Sequence, residues 1–208
     1  ETLFGQTGMK LWACGSPWQG NVATSFPYLD TPATHAMGLV PHHRGGLNYT
    51  PEQIRDLAVG FNRQGWQLAC HVHGDLGVDA VLDAYEAALQ DTPRQDHRLR
   101  LEHCGAMTPE QFDRAARLGV TVSLFIQHVY YWGDVLVDGL FGPEHGAPWM
   151  ATRSALDNGL RVSFHNDGFV TPADPLGNIA TAVTRKARGS GRVLPPEQRI
   201  ALDQAIRA

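Results

Sequence analysis

Trp66-Gln-Leu-Ala-Cys-His71-Val-His73-Gly-Asp75 is the stretch whose reading decides the fold. Residues 66–72 form a short apolar run of strand character. Gly74-Asp75 then opens a segment with Val78, Val81, Leu82, Tyr85 and Leu89 on one helical face. A strand that passes directly into an amphipathic helix is one β/α unit. The helix before it is equally legible. Thr50-Pro51-Glu52-Gln53 supplies an N-cap, a proline at the first helical position and an acid at the positive end of the dipole. Ile54, Leu57, Ala58 and Phe61 follow on one face, and Gly65 stops it.

The same alternation extends both ways. Strands are expected at 8–14, 66–72, 99–103, 120–125 and 160–165. Helices are expected after Thr108-Pro109-Glu110-Gln111, around 149–158, near 175–188 and at 196–207. Strand and helix in alternation indicate an α/β chain with a parallel sheet and helices outside it. A closed (β/α)8 barrel needs about 250 residues. Five strands in 208 residues therefore predict either an open sheet or a partial barrel of about five β/α units without its first strands. Residues 1–208 read as one unit. Two passages without periodicity, 15–49 and 127–147, are expected to be long substrate-side loops. The first carries Trp18, Phe26 and Tyr28, and the second Tyr130, Tyr131, Trp132 and Phe141.

Strand C-termini in such a chain converge on one face, which carries the chemistry. Lys10, His71, His103 and Asp167 each lie in or just past an expected strand. Residues two apart on a strand share a side, so His71 and His73 could face one cavity. Asp75 could orient a neighbouring imidazole or cap the following helix. His103 is a metal ligand or a hydrogen-bonded structural residue. Glu102 is expected on the opposite face by alternation. Asp167 is a base beside a metal or a turn residue before Gly168, and His165 could share its orientation. Lys10 is expected to be buried, which is costly unless the amine is paired or modified. His128 opens the aromatic passage, as part of a pocket wall or of a packed loop.

Net charge is −4, and Arg185-Lys186-Ala187-Arg188 is the main basic cluster. That gives no support to a nucleic-acid partner. There is no apolar stretch of about 18 residues to span a membrane and no secretory signal pattern, so the expected location is cytoplasmic. The chain starts at Glu1 and reads as cut from something longer. Cys14, Cys70 and Cys104 are widely spaced in strand candidates, as buried thiols in a reducing compartment would be. No Gly-x-Gly-x-x-Gly turn follows a strand, which disfavours an open-sheet nucleotide binder.

Gly8-Met-Lys-Leu-Trp-Ala-Cys-Gly-Ser16, His71-Val-His-Gly-Asp75, Leu101-Glu-His-Cys104, Ser163-Phe-His-Asn-Asp-Gly168, Asp174-Pro175-Leu176 and Ala182-Val-Thr-Arg185 occur in that order. Together they resemble the later part of the catalytic barrel of a metal-dependent amidohydrolase. The nearest branch is amidohydrolase family 3, which includes N-substituted formamide deformylase. The resemblance implies that Lys10 ends barrel strand four and can become a CO2-derived carbamate. It implies that His71 and His103 bind metal from strands five and six. Asp167, on strand eight, would bind metal and act as general acid and base. The implied cofactor is a divalent metal, zinc by preference, as one or two ions. The implied reaction is attack of metal-activated water on an amide-like, non-peptide C–N substrate of small size. His73, Asp75, His128 and His165 would stand around substrate or ligands. His73 is an addition, because relatives are usually apolar there. The family's first-strand His-x-His pair is absent, so a missing N-terminal barrel segment is expected as a partner. A homo-oligomer stays open. The reading from a different class is a non-catalytic barrel fragment or binding module with an incomplete metal site.

Overall fold

The computed structural model describes residues 5–208. The share of the expected barrel portion that falls on residues 1–4 lies outside the described residues. β1 (Gly8–Trp12), β2 (Gln67–Val72), β3 (Arg100–His103), β4 (Thr121–Leu124) and β5 (Val162–Phe164) form one sheet. The strands lie side by side in chain order, and every pair is parallel. A doubly wound sheet reverses its strand order part-way. This sheet does not, so it winds in one direction only, as a barrel wall does.

Helices occupy every connection between the strands. α1 (Pro32–Ala36) and α2 (Pro51–Arg63) precede β2, α3 (Asp75–Asp91) precedes β3, and α4 (Pro109–Arg117) precedes β4. α5 (Gln127–Asp134), a π-helical run (Val135–Phe141), α6 (Gly142–Gly146) and α7 (Thr152–Asp157) lead to β5. α8 (Pro175–Thr184) and α9 (Leu202–Arg207) follow it. Thr50 and Thr108 cap α2 and α4, with Gln53 and Gln111 closing the reciprocal half of each capping box.

The core lies between the sheet and this helical layer. Leu68, Cys70, Val72, Leu101, Val122 and Leu124 project from one sheet face and are almost wholly buried. Val78, Val81, Leu82 and Tyr85 of α3 and Phe112 and Ala115 of α4 meet them from the helices. Asn62 ties α2 to the end of α3, donating to the carbonyls of Ala88 and Thr92, both at 2.8 Å. All three cysteines are buried free thiols. The other sheet face carries Lys10, Trp12, His71, Glu102 and Ser123 in one register. β1 and β5 are the edge strands. Among the described residues no helix is long and apolar enough to cross a membrane.

Two expectations are corrected. The passage 127–147 is helical almost throughout, not irregular. Gln127, His128, Val129, Gly133, Leu136, Val137, Leu140 and Phe141 are buried around more than one side of the helix. Burial on all sides removes the amphipathic period by which a helix is read. The segment 196–207 is a 3-10 turn, Pro196–Gln198, and a separate α9, because Arg199 is extended at φ −67°, ψ 146°.

The passage 15–49 does lack long regular elements, yet it is anchored. Leu29 N–H donates to the Leu140 carbonyl at 2.7 Å, and Trp18, Phe26 and Tyr28 pack on Trp132 and Phe141. Gly74 allows the approach, since a Cβ there would fall 1.9 Å from the Ala23 carbonyl oxygen. Leu101→Ala, at the centre of the outer face, is expected to destabilise the chain by about 2–5 kcal/mol, measured by urea unfolding.

Candidate metal centre

His71, His73 and His103 come together at the C-terminal rim of the sheet. Ring centroids of His71 and His103 are 4.2 Å apart, those of His73 and His103 4.7 Å, and those of His71 and His73 5.1 Å. One nitrogen from each ring lies within 4.8 Å of the other two. His71 occupies an inward position of β2, beside Trp12 and Glu102. His73 follows two residues later, where β2 has ended, and is buried.

His103 reaches the cluster by a backbone change. Its register partner is Val72, which faces the helices, so strict alternation would turn it away. His103 and Cys104 instead have φ of 76° and 56°. That left-handed pair breaks the alternation and brings the imidazole to the rim. Glu102 consequently shares the His71 face, contrary to expectation. It is no free ligand, because Arg100 Nε donates to its Oε1 at 2.5 Å.

His71 Nε2, His73 Nδ1 and His103 Nε2 are buried and have no hydrogen-bond partner among the described residues. An unpaired buried polar atom costs roughly 1–3 kcal/mol, so three in one place call for a ligand. All three rings are neutral, the form that ligates metal. Burial pushes His71 below its ordinary range, with the Gly15 backbone and Asp167 acting the other way and Lys10 reinforcing the shift. Burial, then the neighbouring imidazoles, hold His73 and His103 well below theirs.

His165 stands behind His103, with its Nε2 3.1 Å from His103 Nδ1 and its Nδ1 3.0 Å from Ser123 Oγ. If His103 Nε2 is the free lone pair, its Nδ1–H donates to His165, and His165 Nδ1–H donates to Ser123. One proton arrangement satisfies the whole chain and leaves Nε2 ready to coordinate. Burial takes His165 down to about 4. His128 is also buried and stacks on His73 at 5.3 Å and 14°. Its Nδ1 accepts from Trp149 Nε1–H at 3.3 Å, and burial pushes it down to about 3.

The other expected residues lie at the margin. Lys10 is exposed, not buried, because β1 is an edge strand; its Nζ sits 5.3 Å from the Trp12 ring centroid. Asp167 is exposed, with φ 53°, in the turn after β5. The charges of both reach His71 and His165, but neither belongs to the buried triad. Asp75 neither orients an imidazole nor caps a helix. Gly74 is the N-cap, and Asp75, on the first turn of α3, accepts from Ser25 N at 2.9 Å and from Ser25 Oγ at 2.5 Å. Its carboxylate is taken by the 15–49 passage. Ser123 and Trp149 join the site without a motif of their own. Ser123 was recoverable from the inward spacing of β4, whereas nothing local marks Trp149.

The sequence model of the amidohydrolase family matches residues 2–208. The chain belongs to the amidohydrolase family. It is 33% identical over 165 residues to the N-substituted formamide deformylase of Arthrobacter pascens, covering 79% of this chain and 30% of that protein. Two solved structures share its fold, both described as uncharacterized metal-dependent hydrolases. That from Pyrococcus horikoshii aligns with a TM-score of 0.77 and 24% identity over 96% of this chain and 38% of its own. That from Pyrococcus furiosus gives 0.74 and 26%, over 96% and 37%. This amidohydrolase chain thus spans about a third of the length of the curated relatives it matches.

The buried rings set a pH dependence. Below about pH 6.5 the unfolded chain takes up protons that folded His128 and His165 refuse, so stability falls as pH falls. From about pH 6.5 to about pH 5 each ring removes up to about 2 kcal/mol. Urea unfolding of the metal-free protein at the two pH values checks this, and equal stability would contradict it.

Proposed function

We propose that this chain carries the later ligands of a metal-dependent hydrolase that cleaves amide-like, non-peptide C–N bonds. The observation behind the metal is the set of three sealed, unpartnered imidazole nitrogens, His71 Nε2, His73 Nδ1 and His103 Nε2. Neutral imidazoles suit zinc and related divalent ions, and no competing donor occupies them. His71, His73 and His103 would hold the ion, with Asp167 adding a carboxylate from the exposed turn. Lys10 would add an anionic oxygen once its neutral amine takes up CO2 and loses a proton to form a carbamate. When bound, a divalent cation supplies Lewis acidity, polarising a carbonyl and making water a nucleophile at neutral pH.

The chain's own groups then divide the remaining work. Asp167 accepts a proton from the attacking water and returns it to the leaving nitrogen, its exposed turn leaving it accessible to both. His165 and Ser123 hold the proton on His103 Nδ1 and keep Nε2 free. The 15–49 passage and the aromatic helices at 127–146 stand on the same rim and would shape the substrate pocket. The amide-like class draws on the Arthrobacter relative, whose name concerns an N-substituted formamide.

Elemental analysis of the intact protein is expected to find stoichiometric divalent metal. Its absence would sink the reading and favour a binding module. His165→Ala is expected to weaken zinc binding by roughly 10–100-fold, read by competition with a chromogenic chelator. Asp167→Asn is expected to lower turnover of an N-alkylformamide by about 100–10,000-fold with metal still bound. Unchanged turnover would remove Asp167 from its role.

A further inference from the structure

Arg185 is completely buried and is the left-handed C-cap that follows α8. Its guanidinium hydrogen bonds run to backbone carbonyls. Nη1 donates to Met150 at 2.9 Å, Nη2 to Trp149 at 2.7 Å and to Ala147 at 3.4 Å, and Nε to Leu194. Burying a guanidinium is expensive. Here Nη1 and Nη2 together fasten one segment, 147–150, that has no regular structure of its own. A lysine ammonium has neither the reach nor the planar fork to serve these carbonyls together.

The same segment is held from the other side. Met150 N–H donates to the Gly105 carbonyl at 2.9 Å. Gly105 has no room for a side chain, because a Cβ would fall 2.3 Å from Trp149 Cζ2. Phe141 stacks on the indole at 5.0 Å and 9°. The Trp149 ring is thereby fixed, and its Nε1–H points at His128 Nδ1. An imidazole nitrogen that accepts a hydrogen bond carries no proton, so neutral His128 is protonated on Nε2. That Nε2 has no hydrogen-bond partner among the described residues, and it is not one of the sealed nitrogens.

We propose that Arg185 and Trp149 are positioning residues that lock His128 as its Nε2–H tautomer, a donor to the carbonyl oxygen of an amide-like substrate beside the three histidines. The donor role rests on the hydrolase reading above, whereas the tautomer does not. A neutral, fixed donor next to cations polarises a carbonyl without adding like charge, which a protonated imidazole would do.

Long-range 1H–15N correlation of the metal-free intact protein tests this, with His128→Gln assigning the resonances. Wild type is expected to show His128 protonated at Nε2 and bare at Nδ1. Trp149→Phe, close in shape but without the donor, is expected to give a mixture of tautomers. Arg185→Lys is expected to speed solvent exchange of the Trp149 indole proton by at least tenfold and to broaden the His128 signals. Titration with N-methylformamide is expected to shift Nε2 in wild type and much less in Trp149→Phe. A wild-type proton on Nδ1, or a Trp149→Phe spectrum unchanged at His128, overturns the lock without any need for Arg185→Lys to fold. An unmoved Nε2 overturns the donor role. Zinc binding, measured separately, reports on the metal site alone.

Discussion

Three imidazole lone pairs closed off from water at one rim of the sheet are the constraint on which the site depends. Left alone they are a local debt in free energy, since no backbone or side-chain donor among the described residues reaches them. Protonation does not relieve it, because burial and the mutual proximity of the rings oppose positive charge. A cation accepting all three is the arrangement that satisfies them together. The surroundings fit that use. Ser123 and His165 occupy the far nitrogen of His103, and Trp149 occupies one nitrogen of His128. The far nitrogen of His103 is thus satisfied, while its Nε2 within the cluster is left open.

Backbone conformation concentrates at the same rim. His103, Cys104, Asp167 and Phe169 all have positive φ without being glycine. Such conformations persist only where surrounding structure holds them. Cys104 N–H donates to the Val72 carbonyl at 2.9 Å and Ala106 N–H to the His73 carbonyl at 2.7 Å, so the turn after β3 is stitched to the end of β2. That stitching presents His103 to the cluster. The rim is therefore shaped by left-handed turns laid across a parallel register.

The helical layer supports the rim indirectly. Asp75 fastens the 15–49 passage through Ser25, and Trp18, Phe26 and Tyr28 of that passage rest on the helices at 127–146. Arg185 fastens 147–150 from the end of α8. Elements far apart in sequence thus bear on the same few imidazoles.

Local sequence determined the alternation of strand and helix, the caps at Thr50 and Thr108, and the positions of His71, His103, His165 and Asp167 near strand ends. Those features follow from nearest-neighbour chemistry: period-two and period-3.6 burial, and the cap preferences of Thr-Pro-Glu-Gln. The family resemblance implied that Lys10, His71, His103 and Asp167 belong to one site; the structure brings His71 and His103 together and leaves Lys10 and Asp167 at its margin. Tertiary structure alone decided that Lys10 lies open on an edge strand and that Asp75 serves a loop. It also decided that 127–146 is helical, a pattern hidden by burial on several sides. It placed His73 within the triad, and it paired His165 with Ser123 and Trp149 with His128. Each of those outcomes depends on partners dozens of residues away, or on a left-handed turn that no residue type announces. Periodicity in the chain cannot encode them.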